Sequence, residues 1–127
     1  MEIHNMKVLL IEDDALLCEM YKIKFDVSKI PMVVAHGGFE GLTMARREKP
    51  NLILLDIKMD DLDGFEVLKQ LKRDPKLAPT PVFLLTNLSE KDNAEEGLKL
   101  GAEAYIMKSK ILPKEVVQRV TDRLKPL

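Results

Sequence analysis

The stretch Asn51-Leu52-Ile53-Leu54-Leu55-Asp56, NLILLD in one-letter code, sets a run of large apolar residues directly before a carboxylate. A continuous apolar run of this length, preceded by Pro50, predicts a strand that is buried on both faces, as strands of parallel sheets are. An acid after such a strand has an ordinary explanation, because a strand can simply end in solvent. The arrangement becomes informative because it returns at the ends of other strands.

Short apolar runs alternate along the chain with longer stretches that carry apolar residues at helical spacing. Strands are expected at residues 7–11, 32–35, 52–55, 82–85 and 104–107. Helices are expected near residues 17–25, 39–47, 63–74, 89–101 and 113–124. This strict alternation predicts an α/β protein whose parallel sheet is covered on both faces. Binding sites in such sheets lie at the carboxyl ends of the strands.

Short sequence signals predict where helices begin: Asp63 with Glu66, Ser89 with Asp92, and Pro113 in a first turn. Residues 61–64 also resemble part of a calcium-binding loop. The EF-hand pattern, however, requires an acid at position 59 and a glutamate at position 70. These positions are Met59 and Gln70, so Asp63 is interpreted as a helix cap.

Polar and charged side chains follow most of the predicted strands. They are Glu12, Asp13 and Asp14 after the first strand, Asp56 after the third, Thr86 after the fourth and Lys108 after the fifth. Because the carboxyl ends of parallel strands meet at one edge of the sheet, these side chains are expected to converge.

Carboxylates that converge in this way need a compensating cation. Two of them about 4 Å apart repel each other by about 4 kcal/mol at an effective dielectric constant near 20, and without compensation one takes up a proton. Mg²⁺ suits such a cluster, because it prefers oxygen ligands, needs only one or two carboxylates and keeps several waters. Carboxylate, Mg²⁺, ammonium and hydroxyl together resemble the apparatus of phosphoryl transfer, in which an aspartate can itself take the phosphoryl group.

Over essentially its whole length the chain resembles the receiver domain of two-component response regulators, the CheY-like superfamily. Four stretches carry the resemblance, in the family's order and spacing: VLLIEDD (8–14), LILLDIKMDDLDGFEVL (52–68), PVFLLT (81–86) and GAEAYIMKS (101–109). The resemblance implies a flavodoxin-like (βα)5 fold, with a doubly wound sheet of five parallel strands in the order 2-1-3-4-5. It also implies a signalling switch rather than an enzyme, with only self-phosphorylation and autodephosphorylation as its chemistry.

The same resemblance implies a Mg²⁺ site. Asp13 would bind the ion directly, and Glu12 would act mainly through a metal-bound water. Asp56 would supply a further carboxylate oxygen and Lys58 its backbone carbonyl. The Lys58 side chain is expected in solvent, and Asp14 is expected to cap a helix rather than to bind the metal.

The resemblance further implies that Asp56 is the phospho-accepting nucleophile. The donor would be a phosphohistidine on a histidine kinase or on a phosphotransfer protein. Thr86 would hydrogen-bond the phosphoryl oxygens, and Lys108 would pair with them. Tyr105 matches the family's aromatic residue whose rotamer is coupled to the position of the threonine. Their movement is expected to change which partner binds the face around the fourth helix, fifth strand and fifth helix.

Several positions depart from the family's pattern. Ser109 replaces the proline that usually follows the lysine, and we expect a trans Lys108–Ser109 peptide, because a cis bond before a residue other than proline costs about 2.5–4 kcal/mol. Asp60 replaces the proline that commonly follows Met59, and the acidic loop is expected to weaken the approach of anionic donors. Asn87 replaces a small residue after the threonine, and we expect it to slow autodephosphorylation by crowding the phosphoryl group or the attacking water.

Other functions fit the pattern less well. The intact cluster argues against a degenerate receiver that binds partners without phosphorylation, although Ser109 leaves this alternative open. A phosphatase of the haloacid-dehalogenase type has a second aspartate two residues after the nucleophile, where this chain has Lys58, and the length leaves no room for its cap domain. A nucleotide-binding flavodoxin-like protein needs glycines and backbone amides after the first strand, where this chain has acids.

Composition narrows the remaining possibilities. The length of 127 residues fits one domain, so residues 1–127 are expected to form a single receiver domain with no output domain. The net charge of −1 argues against direct nucleic-acid binding, and no apolar run suits a transmembrane helix or a signal peptide. Cys18 is the only cysteine, which excludes an internal disulfide.

We therefore expect a cytoplasmic protein that has no contact with membranes. Its expected partners are a histidine kinase or a phosphotransfer protein, together with an unidentified downstream protein. The chain itself is expected to be a monomer or a weak, phosphorylation-dependent homodimer.

Overall fold

A computed structural model describes residues 2–87 and 91–125, without the side chains of residues 91 and 92. Five parallel strands form one sheet in the order 2-1-3-4-5, which confirms the predicted topology. The strands are β1 (Val8–Ile11), β2 (Met32–Ala35), β3 (Leu52–Leu55), β4 (Val82–Thr86) and β5 (Ala104–Met107).

An α-helix follows each strand in the described part of the chain. These helices are α1 (Ala15–Val27), α2 (Gly38–Glu48), α3 (Gly64–Arg73), α4 (Lys91–Lys99) and α5 (Pro113–Leu124). Short 3-10 helices lie at Ile3–Asn5 and Lys108–Lys110. No helix among the described residues has both the length and the apolar character needed to cross a bilayer.

The sheet is covered on both faces, as the continuous apolar strands predict. Residues of α1 and α5 pack with one face of the sheet, and residues of α2 and α3 pack with the other. All four residues of β3 have no exposed surface. Burying one such leucine or isoleucine side chain contributes about 1.5–3 kcal/mol relative to leaving it exposed, so the apolar part of NLILLD holds β3 at the centre of the core.

The register of the strands brings their carboxyl ends level with one another. Ile11 of β1 pairs with Leu55 of β3, and Thr86 of β4 pairs with Met107 of β5. The residues that directly follow these strands therefore lie together at one edge of the sheet, and this brings their side chains into one site.

Two strands differ from the prediction by one residue, and two helices are longer than predicted: α1 by two residues and α2 by one residue at each end. β1 begins at Val8 and not at Lys7 as predicted, because the backbone N–H of Lys7 donates to the side-chain oxygen Oδ1 of Asn51 at 2.8 Å instead of to a neighbouring strand. β4 extends to Thr86, one residue beyond the predicted end.

The predicted helix starts are confirmed where the structure describes them. Asp14 caps α1 by accepting hydrogen bonds from Leu16 and Leu17, and Asp63 caps α3 by accepting one from Glu66. Pro113 is the first residue of α5. The capping signal of Ser89 with Asp92 lies outside the described residues.

Candidate functional site

A cleft of about 210 Å³ opens at the carboxyl edge of the sheet. It is lined by Glu12, Asp13, Asp14, Leu17, Asp56, Lys58, Thr86, Asn87 and Lys108. The predicted convergence of strand-end side chains is therefore observed. A larger cavity of about 500 Å³ lies at the opposite edge and includes Lys49, Pro50 and Thr80, but it contains none of the site residues predicted from the sequence.

Asp56 follows β3 and has only 6% of its surface exposed. Its Oδ1 accepts a hydrogen bond from the N–H of Ile57 at 2.8 Å, and its own N–H donates to the Ile11 carbonyl at 3.0 Å. The start of α3 lies against its backbone, because a Cβ atom at Gly64 would come within 2.2 Å of the Asp56 carbonyl oxygen. Glycine at position 64 therefore permits the close approach that fixes the backbone of Asp56.

Three carboxylates meet beside one another. Glu12, Asp13 and Asp56 each present an oxygen, and these oxygens lie within 4.8 Å of one another. Carboxylate oxygens are the donors that Mg²⁺ prefers, and one or two of them are enough for a site that keeps several waters. The donor set of this cluster therefore fits the predicted metal ion.

Lys108 places a positive charge among these acids. Its ammonium donates a hydrogen bond to Glu12 Oε1 and lies 3.5 Å from Asp56 Oδ2, and its side chain is 8% exposed. Burial raises the pKa of Glu12 to about 7, although the hydrogen bond from Lys108 acts in the opposite direction. The charge of Asp56 raises this pKa as well, because a like charge disfavours ionisation.

Neighbouring residues donate hydrogen bonds to both the backbone carbonyl and the side-chain carboxylate of Glu12. The thiol of Cys18, on the buried face of α1, donates to the Glu12 carbonyl at 3.2 Å, and the Asp14 N–H donates to Glu12 Oε2 at 3.1 Å. Burial raises the pKa of the Cys18 thiol to about 11, so the cysteine is a neutral donor.

The loop between β3 and α3 makes two contacts that the sequence alone did not reveal. The N–H of Asp60 donates to Asp13 Oδ2 at 3.0 Å. The Asp61 carboxylate accepts from the N–H groups of Gly38 and Phe39, at 2.9 and 3.1 Å, at the start of α2. One signal for the second contact is visible in the sequence: Gly37, the N-cap of α2, has no side chain with which to cap the helix.

The remaining predicted residues occupy different surroundings. Thr86 is 1% exposed and lines the cleft, whereas Asn87 and Lys58 also line it but are exposed. Tyr105 lies on β5 and lines a separate cavity of about 260 Å³ with Met107 and other residues. The structure thus groups every predicted site residue except Tyr105 around one cleft.

The peptide between Lys108 and Ser109 is trans, as expected from the serine. Both residues belong to the 3-10 helix Lys108–Lys110, which was not predicted. His4 and His36 are both exposed.

Comparisons with known proteins agree with the geometry. A family model described as the response regulator receiver domain matches residues 8–121. The alkaline phosphatase synthesis transcriptional regulatory protein PhoP of Bacillus subtilis is 35% identical over 116 residues, which are 91% of this chain and 47% of PhoP. The chain spans about half the length of the curated relatives it matches.

Solved structures give the same result. The receiver domain of the Francisella response regulator 1452 superimposes with a TM-score of 0.85 at 34% identity, covering 95% of this chain and all of that one (100%). The Mn²⁺-bound form of response regulator Rcp1 superimposes with a TM-score of 0.83 at 26% identity, covering 96% of each chain.

Proposed function

Because the chain belongs to the receiver domain family of response regulators, we propose that it is a phosphorylation-dependent signalling switch whose acceptor is Asp56. Receiver domains act as signalling switches and not as enzymes that turn over a substrate. The finer assignments, namely the acceptor, the metal, the donor and the responding surface, are our proposal for this chain.

The surroundings of Asp56 carry the proposal. Its carboxylate is buried, has an ammonium 3.5 Å away and belongs to a cluster of three acids within 4.8 Å. A structural aspartate at the end of a strand would need only solvent or a cap. A nucleophile for phosphoryl transfer needs cations around it, because negative charge accumulates on the transferred group.

The proposed reaction transfers a phosphoryl group from a phosphohistidine on a histidine kinase or a phosphotransfer protein. One carboxylate oxygen of Asp56 forms a bond to phosphorus while the bond from phosphorus to the histidine nitrogen breaks, and its electron pair stays on nitrogen. Lys108 is close enough to pair with the incoming oxygens, and Thr86 would supply a hydroxyl donor from the end of β4.

We assign the metal to Asp13, Asp56 and the backbone carbonyl of Lys58, with Glu12 acting through a water. The oxygen-only donor set supports Mg²⁺, and the Mn²⁺-bound form of the similar regulator Rcp1 supports a divalent ion in general. When bound, the ion would neutralise negative charge on the carboxylates and on the phosphoryl oxygens.

The proposed response is a shift between two populated states. A phosphoryl group adds about −1.5 to −2 charge, and Thr86 and Tyr105 would then change position. Tyr105 is on β5, away from the cleft, so its movement would carry the change to the surface formed by α4, β5 and α5. A downstream partner would read that surface.

The expected partners of this receiver are proteins. PhoP is named as a transcriptional regulator, and this chain matches about half of its length. We propose that the receiver itself binds proteins and not nucleic acid, since its net charge is −1. A cytoplasmic location and a monomer or weak phosphorylation-dependent homodimer belong to the same proposal.

The test is incubation with acetyl phosphate and Mg²⁺, followed by intact mass measurement. Wild type should gain one phosphoryl group, about 80 Da in mass, and Asp56→Asn should gain none. Asp122→Asn is the matched control, because Asp122 is an acid of α5 that lies outside the cleft, and this variant should label like wild type.

Labelling of Asp56→Asn at the wild-type level would refute the assignment of the acceptor. No labelling of wild type, repeated with several histidine kinases as donors, would favour the degenerate receiver instead. Ser109, Asp60 and Asn87 would then be the first positions to change to the residues that the family usually has.

A further inference from the structure

The backbone N–H of Asp60 donates a hydrogen bond to Asp13 Oδ2 at 3.0 Å, across 47 positions of the chain. We propose that this N–H is a positioning group that holds the Asp13 carboxylate ready to bind the divalent cation. The inference rests on the proposed function, because it needs Asp13 as a Mg²⁺ ligand. It adds a residue that the sequence pattern assigned to no role in metal binding.

Asp13 needs such a partner more than its neighbours do. Glu12 and Asp56 are 2% and 6% exposed and both lie beside the ammonium of Lys108. Asp13 is half-buried, so its side chain has room to rotate towards water and away from the two acids. Since like charges this close repel each other, the metal-free cluster favours that rotation, and the N–H opposes it.

The hydrogen bond also leaves the carboxylate able to bind a cation. A carboxylate has two oxygens and about four acceptor positions. The Asp60 N–H on Oδ2 restricts the orientation of the carboxylate and uses only one of these positions. Fixing the orientation in advance favours metal binding, because less conformational freedom is lost when the ion binds.

The loop that carries the donor is itself held in place. Asp61, the next residue, accepts hydrogen bonds from Gly38 and Phe39 at the start of α2 and from its neighbour Leu62 at 2.8 Å. On the other side, Met59 is buried, with 8% of its surface exposed. The Asp60 N–H therefore projects from a fixed segment and acts as a rigid donor.

The residue type at position 60 decides whether this donor exists. The receiver family commonly has proline here, and proline has no backbone N–H. This chain has aspartate, so it has a hydrogen bond that the common family sequence cannot form. The same fact provides an experiment, since the fold of the family accepts proline at this position.

The test compares Asp60→Pro with Asp60→Ala in the full chain. Both variants lose the exposed carboxylate, but only the proline variant loses the N–H, so alanine is the matched control for charge. Mg²⁺ affinity is measured by calorimetry, starting from protein stripped with a chelator. We expect the proline variant to bind Mg²⁺ about three- to tenfold more weakly than the alanine variant, as expected for one net hydrogen bond.

A second readout separates positioning from a general structural role. In labelling with acetyl phosphate, the proline variant should need about three- to tenfold more Mg²⁺ for half of the maximal rate, and should reach the same maximal rate as the alanine variant at saturating Mg²⁺. Thermal unfolding of both metal-free variants measures any change in overall stability.

Equal Mg²⁺ affinity of the two variants, with wild type binding normally, would overturn the inference and leave the proposed function intact. A proline variant that unfolds at a lower temperature but binds Mg²⁺ as tightly as the alanine variant would also overturn the inference. Wild type that binds no Mg²⁺ would instead refute the proposed metal site and this inference with it.

A measurement on the metal-free protein decides the matter if the proline variant does not fold. The Asp60 amide proton should resonate downfield in the NMR spectrum of wild type, and this shift should be lost in Asp13→Ala, which keeps the Asp60 N–H. An Asp60 amide that is unaffected by Asp13→Ala would overturn the inference.

Discussion

Replacing Glu12 with glutamine should remove a pH-dependent loss of stability from the metal-free protein. Burial raises the pKa of Glu12 from its ordinary value of 4.5 to about 7, so the folded protein keeps a proton that the unfolded chain has already released. The stability associated with that proton is fully present below pH 4.5 and is lost as the pH rises through about 7.

The size of the effect follows from the two pKa values. The difference between 4.5 and about 7 corresponds to a total change of about 3 to 4 kcal/mol in the free energy of unfolding, at about 1.4 kcal/mol per pH unit. Glu12→Gln keeps an oxygen that accepts from Lys108 but does not titrate. The stability of this variant relative to wild type should therefore increase by about 3 kcal/mol between pH 4.5 and 7.5.

Urea unfolding in the presence of a chelator, followed by far-ultraviolet circular dichroism at several pH values, measures this difference. Lys108→Met is a second informative variant, because Lys108 lowers the pKa of Glu12. Without the ammonium, the loss of stability should extend to higher pH than in wild type. Stability curves of wild type and Glu12→Gln that stay parallel from pH 4.5 to 7.5 would refute the reasoning.

Further predictions concern the loops around the cleft. Gly64→Ala should destabilise the protein by about 1–3 kcal/mol and slow its labelling by acetyl phosphate, because the new Cβ atom would clash with the backbone of Asp56. Gly97→Ala is the control and should be labelled at the normal rate, because its new Cβ atom meets only side-chain atoms. Asp61→Ala should lower the free energy of unfolding by about 1 kcal/mol at pH 7, because it removes the acceptor at the start of α2. Backbone N–H groups, above all that of Gly38, donate hydrogen bonds that lower the pKa of Asp61 below 3.8, so the stabilisation by its carboxylate is lost as the pH falls. If thermal unfolding shows the same destabilisation of Asp61→Ala at pH 7 and at pH 3, this reasoning is wrong. Asn87→Ala should lose its phosphoryl label faster than wild type, and an unchanged rate would contradict the crowding argument.

The fold was predictable because its strands are short, apolar and buried on both faces. Each run, such as residues 52–55, has one plausible structure once helices flank it. The differences are one or two residues at the ends of strands and helices, together with the unpredicted 3-10 helix Lys108–Lys110. Lys7 leaves the ladder because the Asn51 side chain, 44 positions away, accepts its N–H, and a competition of this kind between side chain and strand cannot be read from a local pattern.

The site was predictable in its membership and less so in its contacts. The edge of a parallel sheet collects the residues that follow each strand, and this rule alone places Glu12, Asp56, Thr86 and Lys108 together. It does not say which acid the ammonium contacts. The structure pairs Lys108 with Glu12 by a hydrogen bond and leaves Asp56 at 3.5 Å.

The acidic loop MDDLDG shows why the number of charges near a site is a poor guide to their effect. The carboxylate of Asp61 accepts three backbone N–H groups and that of Asp63 caps α3, and negative charge is stabilising at helix N-termini. Asp60, Asp61 and Asp63 are all exposed, but the carboxylates of Asp61 and Asp63 accept backbone N–H groups, whereas Asp60 contributes its own backbone N–H to Asp13. Asp60→Ala removes one of these three charges and keeps the backbone N–H that we propose positions Asp13, so this variant separates the effect of the charge on an anionic donor from the effect of the hydrogen bond.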